Sequence, residues 1–346
     1  MLVLSLFVYF YNFILAFLTN KLSKGSVFIL YFPYLIFLIL FGWFNLDYLD
    51  KDYYVYYNWF EYIRRNDVSF FHDKDPLFQY VSINLLSFFS DINYIFLFFI
   101  AISIFLKYLI GVKFVEKELL WLYLIFVYSR FYILHDLTQI RASLAISLCM
   151  LGSYFFFRNK NSCWLFFVSA FFIHQSTIVF ILLMILLRFI SFYRYKFINI
   201  FTLFLGVVLY LFSSFFSGIL IAFMGEESRL NNYTEGGYEY NSQISILSFY
   251  VLLKFLIIIL NYIFWDKFSD QERKYNFFVI VGFLFQMFFS SNGVLGWRFS
   301  EIFSFFDIFC LLMIFKYLVL MSRYIYMYCC ILLTILILYS TYFSQL

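Results

Sequence analysis

Apolar runs of about 20 residues recur from one end of this 346-residue chain to the other, and about that many residues carry a helix across a bilayer. No stretch is left over for a separate soluble domain. Composition agrees: the chain is 65% hydrophobic and only 13% charged, against about 25% charged in soluble proteins. The sequence therefore predicts an all-α integral membrane protein, one polytopic domain over residues 1–346. Spanning segments are expected near 2–19, 26–44, 92–112, 119–134, 138–157, 197–223, 244–264, 276–291, 299–317 and 324–341. Two regions resist this pattern. Residues 77–89 are too short for an upright span and suit a tilted or re-entrant helix. Residues 163–191 hold two short apolar runs around His174-Gln175-Ser176, which predicts a helical hairpin with the histidine at its tip.

Basic residues test the arrangement, because lysine and arginine accumulate in cytoplasmic loops. With 77–89 kept from crossing, the basic clusters at 21–24, 113–117, 158–160, 188–196, 267–274 and 316–323 all fall inside. The opposite face then receives two long tyrosine-rich acidic loops, 45–76 and 224–243. It also receives Arg130, Arg141, Arg229 and Arg298, with all three histidines, His72, His135 and His174. The segment MLVLSLFVYFYNFILAF has neither the basic region nor the cleavage site of a secretory signal and is expected to be the first span. The five cysteines lie in or beside apolar segments with no C-x-x-C spacing, which argues against a disulfide framework or zinc site. A net charge of +4 gives no reason to expect nucleic acid.

Arg141 poses the sharpest chemical question, because it lies just inside an apolar helix where a guanidinium must be solvated, paired or used. One arginine so placed would be read as snorkelling to headgroups. Arg298 and Arg130 hold similar positions on other helices, and several guanidinium forks at one depth make a phosphate clamp. His174 is balanced between a core residue and a proton-transfer group. The first outer loop holds two D-x-D arrangements, Asp50/Asp52 and Asp73/Asp75, where a solvated acidic loop is favoured over a metal site. Its Tyr53, Tyr54, Tyr57 and Trp59 suit either stacking on sugar rings or an interfacial belt. Lys254 and Asp307 each lie 8–10 residues below the outer end of an apolar helix, at roughly 12–15 Å depth, and are expected to pair.

The order of these features resembles the EpsG-like group of bacterial polysaccharide polymerases, which includes many O-antigen polymerases of the Wzy type. The resemblance is carried by Asp52-Tyr53-Tyr54, by the acidic-Pro-x-aromatic turn Asp75-Pro76-Leu77-Phe78, by the arginine-led helix from Arg141-Ala142-Ser143 to Arg158-Asn159-Lys160, and by His174-Gln175-Ser176; Arg298 is a weaker match. The chain departs from the group's pattern at Ala142, where the group has glutamine, and at Asp75, where it more often has glutamate.

The resemblance implies a membrane glycosyltransferase of about 10–12 helices, GT-C-like, acting in lipopolysaccharide biosynthesis. It would join undecaprenyl-pyrophosphate-linked repeat units on the periplasmic face of the inner membrane. His174, Asp75 and Asp52, in that order, are its candidate bases, and Arg141, Arg298 and Arg130 its pyrophosphate ligands. The tyrosines and Trp59 would bind sugar, with no metal and no cofactor. Its partners would be the lipid-linked donor and acceptor, the bilayer and a chain-length regulator protein. The competing readings are a flippase for the same lipid-linked sugar, which should show two similar halves and charges along a path, and a polysaccharide acyltransferase.

Overall fold

The computed structural model describes residues 2–19, 24–46, 52–65, 75–216 and 243–343. Asp50, His72, Asp73, Arg229 and most of the second long loop lie outside the described residues. Among the described residues there is no strand. The helices are α1 (Leu2–Thr19), α2 (Lys24–Phe44), α3 (Tyr53–Arg64), α4 (Pro76–Phe88), α5 (Asn93–Phe114), α6 (Leu120–Val127), α7 (Ile140–Phe157), α8 (Cys163–Ile173), α9 (Ile178–Leu186) and α10 (Phe197–Leu211). They continue as α11 (Phe249–Phe264), α12 (Asp270–Phe288), α13 (Gly293–Glu301), α14 (Ser304–Met313) and α15 (Leu320–Phe343). Among the described residues, four stretches are long and apolar enough to cross a membrane, Asn93–Phe114, Ile140–Phe157, Phe249–Lys267 and Leu320–Thr341.

Several expected spans are broken helices. The run expected at 119–134 is α-helical only to Val127 and continues as π-helix from Tyr128 to Asp136. Leu137 N–H there donates to Tyr132 C=O five residues back. The run expected at 299–317 breaks at Ile302-Phe303, between α13 and α14. The expected re-entrant segment is the 13-residue α4. The expected break at His174 is also present: α8 ends there, His174 is extended at φ −155°, ψ 102°, and a single 3-10 turn leads into α9. Phe167 and Phe180, 13 residues apart, bring their rings to 6.2 Å. On a straight helix they would be about 20 Å apart, so the chain folds back around His174.

The chain divides into two compact units, residues 1–182 with 325–346, and residues 183–324. In the first, α5 packs on α7, α7 on α8, and α4 on α8. Close approach between α5 and α6 depends on Gly111, where an added Cβ would meet the Tyr123 ring at 2.4 Å. Two buried tyrosines satisfy their hydroxyls on backbone: Tyr123 donates to Lys107 C=O at 2.8 Å and Tyr132 to Leu38 C=O at 2.6 Å.

In the second unit, α12 is the central helix and packs against α10, α11, α13 and α14. Ser269 and Glu272 start it with a reciprocal capping box. Three buried asparagines link its neighbours: Asn261 Nδ2 donates to Asn276 Oδ1 at 2.7 Å, and Asn276 Nδ2 donates to Asn199 Oδ1 at 2.9 Å. The expected pairing of Lys254 with Asp307 is found, with Nζ 2.9 and 3.2 Å from the two carboxylate oxygens.

Candidate active site

Asp75 is the residue from which the site is built. It stands immediately before Pro76, which disfavours helical geometry at the preceding residue, and it is extended at φ −67°, ψ 143°. An aspartate in this cap position ordinarily accepts from the first backbone N–H groups of its own helix. Asp75 does not. Its carboxylate turns to other elements instead: Oδ2 lies 3.0 Å from Arg141 Nη1 and 3.6 Å from His174 Nδ1, and Oδ1 accepts from Gln175 N–H at 3.4 Å. The head of α4, the head of α7 and the break after α8 thus converge on one carboxylate.

Burial differs across the group. Asp75 is only 4% exposed, while the Arg141 and His174 side chains are half-buried at 19% and 20%. Burial pushes the Asp75 carboxyl up, but the His174 hydrogen bond, the Arg141 charge, the His174 charge and the Gln175 N–H together outweigh it and hold the group below the usual aspartate range. Asp75 is therefore a carboxylate at neutral pH. Arg141 sits at the positive end of α7, where a cation gains nothing from the helix dipole, so its position is explained by Asp75 and not by α7.

Other expected residues are placed differently. Asp52 begins α3, its C=O accepting from Tyr56 N–H at 3.0 Å. Tyr53 and Trp59 turn inward: Tyr53 Oη donates to Asn93 Oδ1 at 2.8 Å and Trp59 stacks on Phe78 at 5.6 Å. Both rings are thus engaged in packing, whereas Tyr54 is exposed and Tyr57 half-buried. Arg130 is buried in the π-helical stretch, and Arg298 is exposed on α13 of the second unit. Among the described residues, Arg141 is the arginine given to the carboxylate, and no group of three or more His, Cys, Asp or Glu is arranged to hold a metal ion.

A second charged group lies close to this site along α7. Lys107 of α5 and Asp136 at the end of the π-helical stretch are both 1% exposed and joined as an ion pair. Ser103 and Ser143 donate to the same Asp136 oxygen at 2.7 and 2.5 Å, and Lys107 Nζ donates to Ser143 Oγ at 2.5 Å and to Ser103 Oγ at 2.9 Å. A cavity of about 10 Å³ beside it, lined by Tyr34, Tyr108, Tyr128 and Tyr132 among others, has room for about one water.

Residues 27–346 match the model of the EpsG family. The chain belongs to the EpsG family. No curated protein and no solved structure matches it. EpsG membership points to a polysaccharide polymerase-like membrane protein of the glycosyltransferase kind, which accords with the apolar helices. Three of the four elements carrying the resemblance, Asp75-Pro76, Arg141 and His174-Gln175, meet at one carboxylate in this EpsG-family chain.

Proposed function

We propose that this chain is a polysaccharide polymerase of the O-antigen type. It moves a growing chain from undecaprenyl pyrophosphate onto the non-reducing-end sugar of the next lipid-linked repeat unit. The observation that carries this reading is the convergence of Asp75, Arg141 and His174 from three elements, a base and a cation held by one anion. In the transfer, the acceptor hydroxyl oxygen bonds to the anomeric carbon as the bond from that carbon to the pyrophosphate oxygen breaks. The hydroxyl proton goes to His174. Asp75 at Nδ1 favours the tautomer with its proton there, so Nε2 is the nitrogen that accepts.

Asp75 itself is a poor base because its carboxyl is held low, so it acts by orienting His174 and Arg141. The leaving pyrophosphate gains negative charge in the transition state, and a preorganised guanidinium lowers that barrier. Arg141 gives one nitrogen, Nη1, to Asp75, and in this reading the phosphate takes its hydrogen bonds from the other donors of the five-donor fork. Arg130 is a further pyrophosphate ligand, Tyr54 and Tyr57 stack on sugar with Tyr53 and Trp59 supporting them, and Asp52 is the least favoured base. The reaction requires no metal. The chain forms one membrane domain of 10–12 crossings, GT-C-like, in the inner membrane with its site facing the periplasm, alongside a chain-length regulator.

Purified protein in vesicles loaded with lipid-linked repeat units tests the reading. Chain lengthening undiminished in EDTA is the expected result. Translocation without lengthening would make the protein a flippase, and acyl transfer to the saccharide would make it an acyltransferase; either overturns the proposal.

A further inference from the structure

The Lys107–Asp136 group has no place in the transfer chemistry, yet both of its charged side chains are buried, at 1% exposure each. Ion pairs in such surroundings are costly: apolar residues of similar volume are often as stabilising or more so. Position supplies a reason. Asp136 lies five residues before Arg141 and Ser143 lies two after it, and the Ser143 hydroxyl closes directly on the Asp136 carboxylate at 2.5 Å. The connection that turns the π-helical stretch into α7, residues 137–139, is thereby cross-braced at its two ends. Lys107 and Ser103 tie the same carboxylate oxygen to α5, a 22-residue helix packed on α7. Ser103 and Ser143 also touch at 2.7 Å, so α5 and α7 are pinned at the level of α7's first turn. Arg141 is the second residue of that turn.

We propose that Lys107, Asp136, Ser103 and Ser143 form a buried clasp whose role is to position Arg141 against Asp75, an inference that rests on the Asp75 site being the transfer site. These are positioning residues. They fix the axial position of the first turn of α7, and a guanidinium aimed at a leaving group tolerates little error. Misplacement by about 1 Å costs a reaction of this kind on the order of 10²-fold.

The test uses the full chain in vesicles. Lys107→Met with Asp136→Leu removes both charges together, so no lone ion is left buried. Ser143→Ala leaves the ion pair in place and is the milder variant, with Ser143→Thr as its rescue because threonine keeps the hydroxyl. Two readouts are taken: amide hydrogen exchange over residues 139–145, and chain lengthening resolved into kcat and donor KM. The expected result is faster exchange confined to that turn and kcat lowered about 10²-fold in the double variant, with KM little changed, a smaller loss in Ser143→Ala, and recovery in Ser143→Thr. Native exchange in both Ser143→Ala and the double variant overturns the clasp. Faster exchange with native kcat overturns its positioning role. If the unaltered protein lengthens no chain at all, the polymerase reading fails, and local loosening of the Arg141 turn still decides for or against the clasp.

Discussion

Among the described residues there are two buried lysine–aspartate pairs, one in each unit, and they are built differently. In Lys254–Asp307 the ammonium reaches both carboxylate oxygens, at 2.9 and 3.2 Å, between the apolar helices α11 and α14. In Lys107–Asp136 the ammonium and two hydroxyls crowd one oxygen of a carboxylate at a helix break. The Asp307 side chain is 12% exposed and Asp136 1%. The first geometry joins two helices. The second joins three elements at the point where α7 starts and Arg141 is placed. Identical residue pairs therefore do different work according to the backbone that presents them.

The largest stability effect should follow removal of one partner from the drier pair. Asp136→Leu strands a lysine with nowhere to go, and should cost about 3–5 kcal/mol, with Lys107→Met added to it recovering much of the loss. Thermal or denaturant unfolding in detergent checks this, and simple additivity of the two substitutions would place the residues out of contact. Lys254→Met should cost about 3 kcal/mol, the low end of the same range, because Asp307 retains some exposure. Its cycle with Asp307→Leu should show coupling of about 0.5–3 kcal/mol, while chain lengthening by the folded double variant stays native. Loss of lengthening there would erase the distinction between the pairs.

Asn276→Leu probes uncharged linkage in the second unit. It leaves Asn199 and Asn261 facing a methyl group and should cost about 1–3 kcal/mol. The smallest effect concerns Asp75. Its folded-state value is depressed, so its interactions stabilise the fold above the unfolded aspartate value of about 3.9 and lose that contribution as pH falls through the lower folded value. The stability gap between the native chain and Asp75→Asn should therefore close on acidification through that window, and a gap independent of pH would contradict the charged state assigned to Asp75.

What the sequence revealed follows the same division. Lys254 and Asp307 were legible as a pair because each interrupts an apolar helix at a similar depth. Asp136 was not, because it falls between two apolar runs and looks like a loop residue, and only the π-helical course of 128–136 carries it inside. Lys107 did offer a signal, a charge within a 22-residue apolar helix. His174 at a chain break was legible from the two short runs that flank it. That Arg141 answers to Asp75 was not, because a contact between residues 66 apart in sequence leaves no periodic trace. The turn of Tyr53 and Trp59 toward the core escaped detection for a similar reason: aromatic residues suit a sugar, an interface and a core equally well.

The most direct test of the transfer site is the rate of chain lengthening by Arg141 variants that reach the membrane in normal amount. Arg141→Ala should lower the rate about 10²–10³-fold, with most of the loss in turnover. Arg141→Lys, which keeps a cation beside Asp75 but lacks the planar fork, should recover part of it. Native rates and full-length polymer from Arg141→Ala would show that the Asp75–Arg141 pair only holds the helices together and that transfer occurs elsewhere.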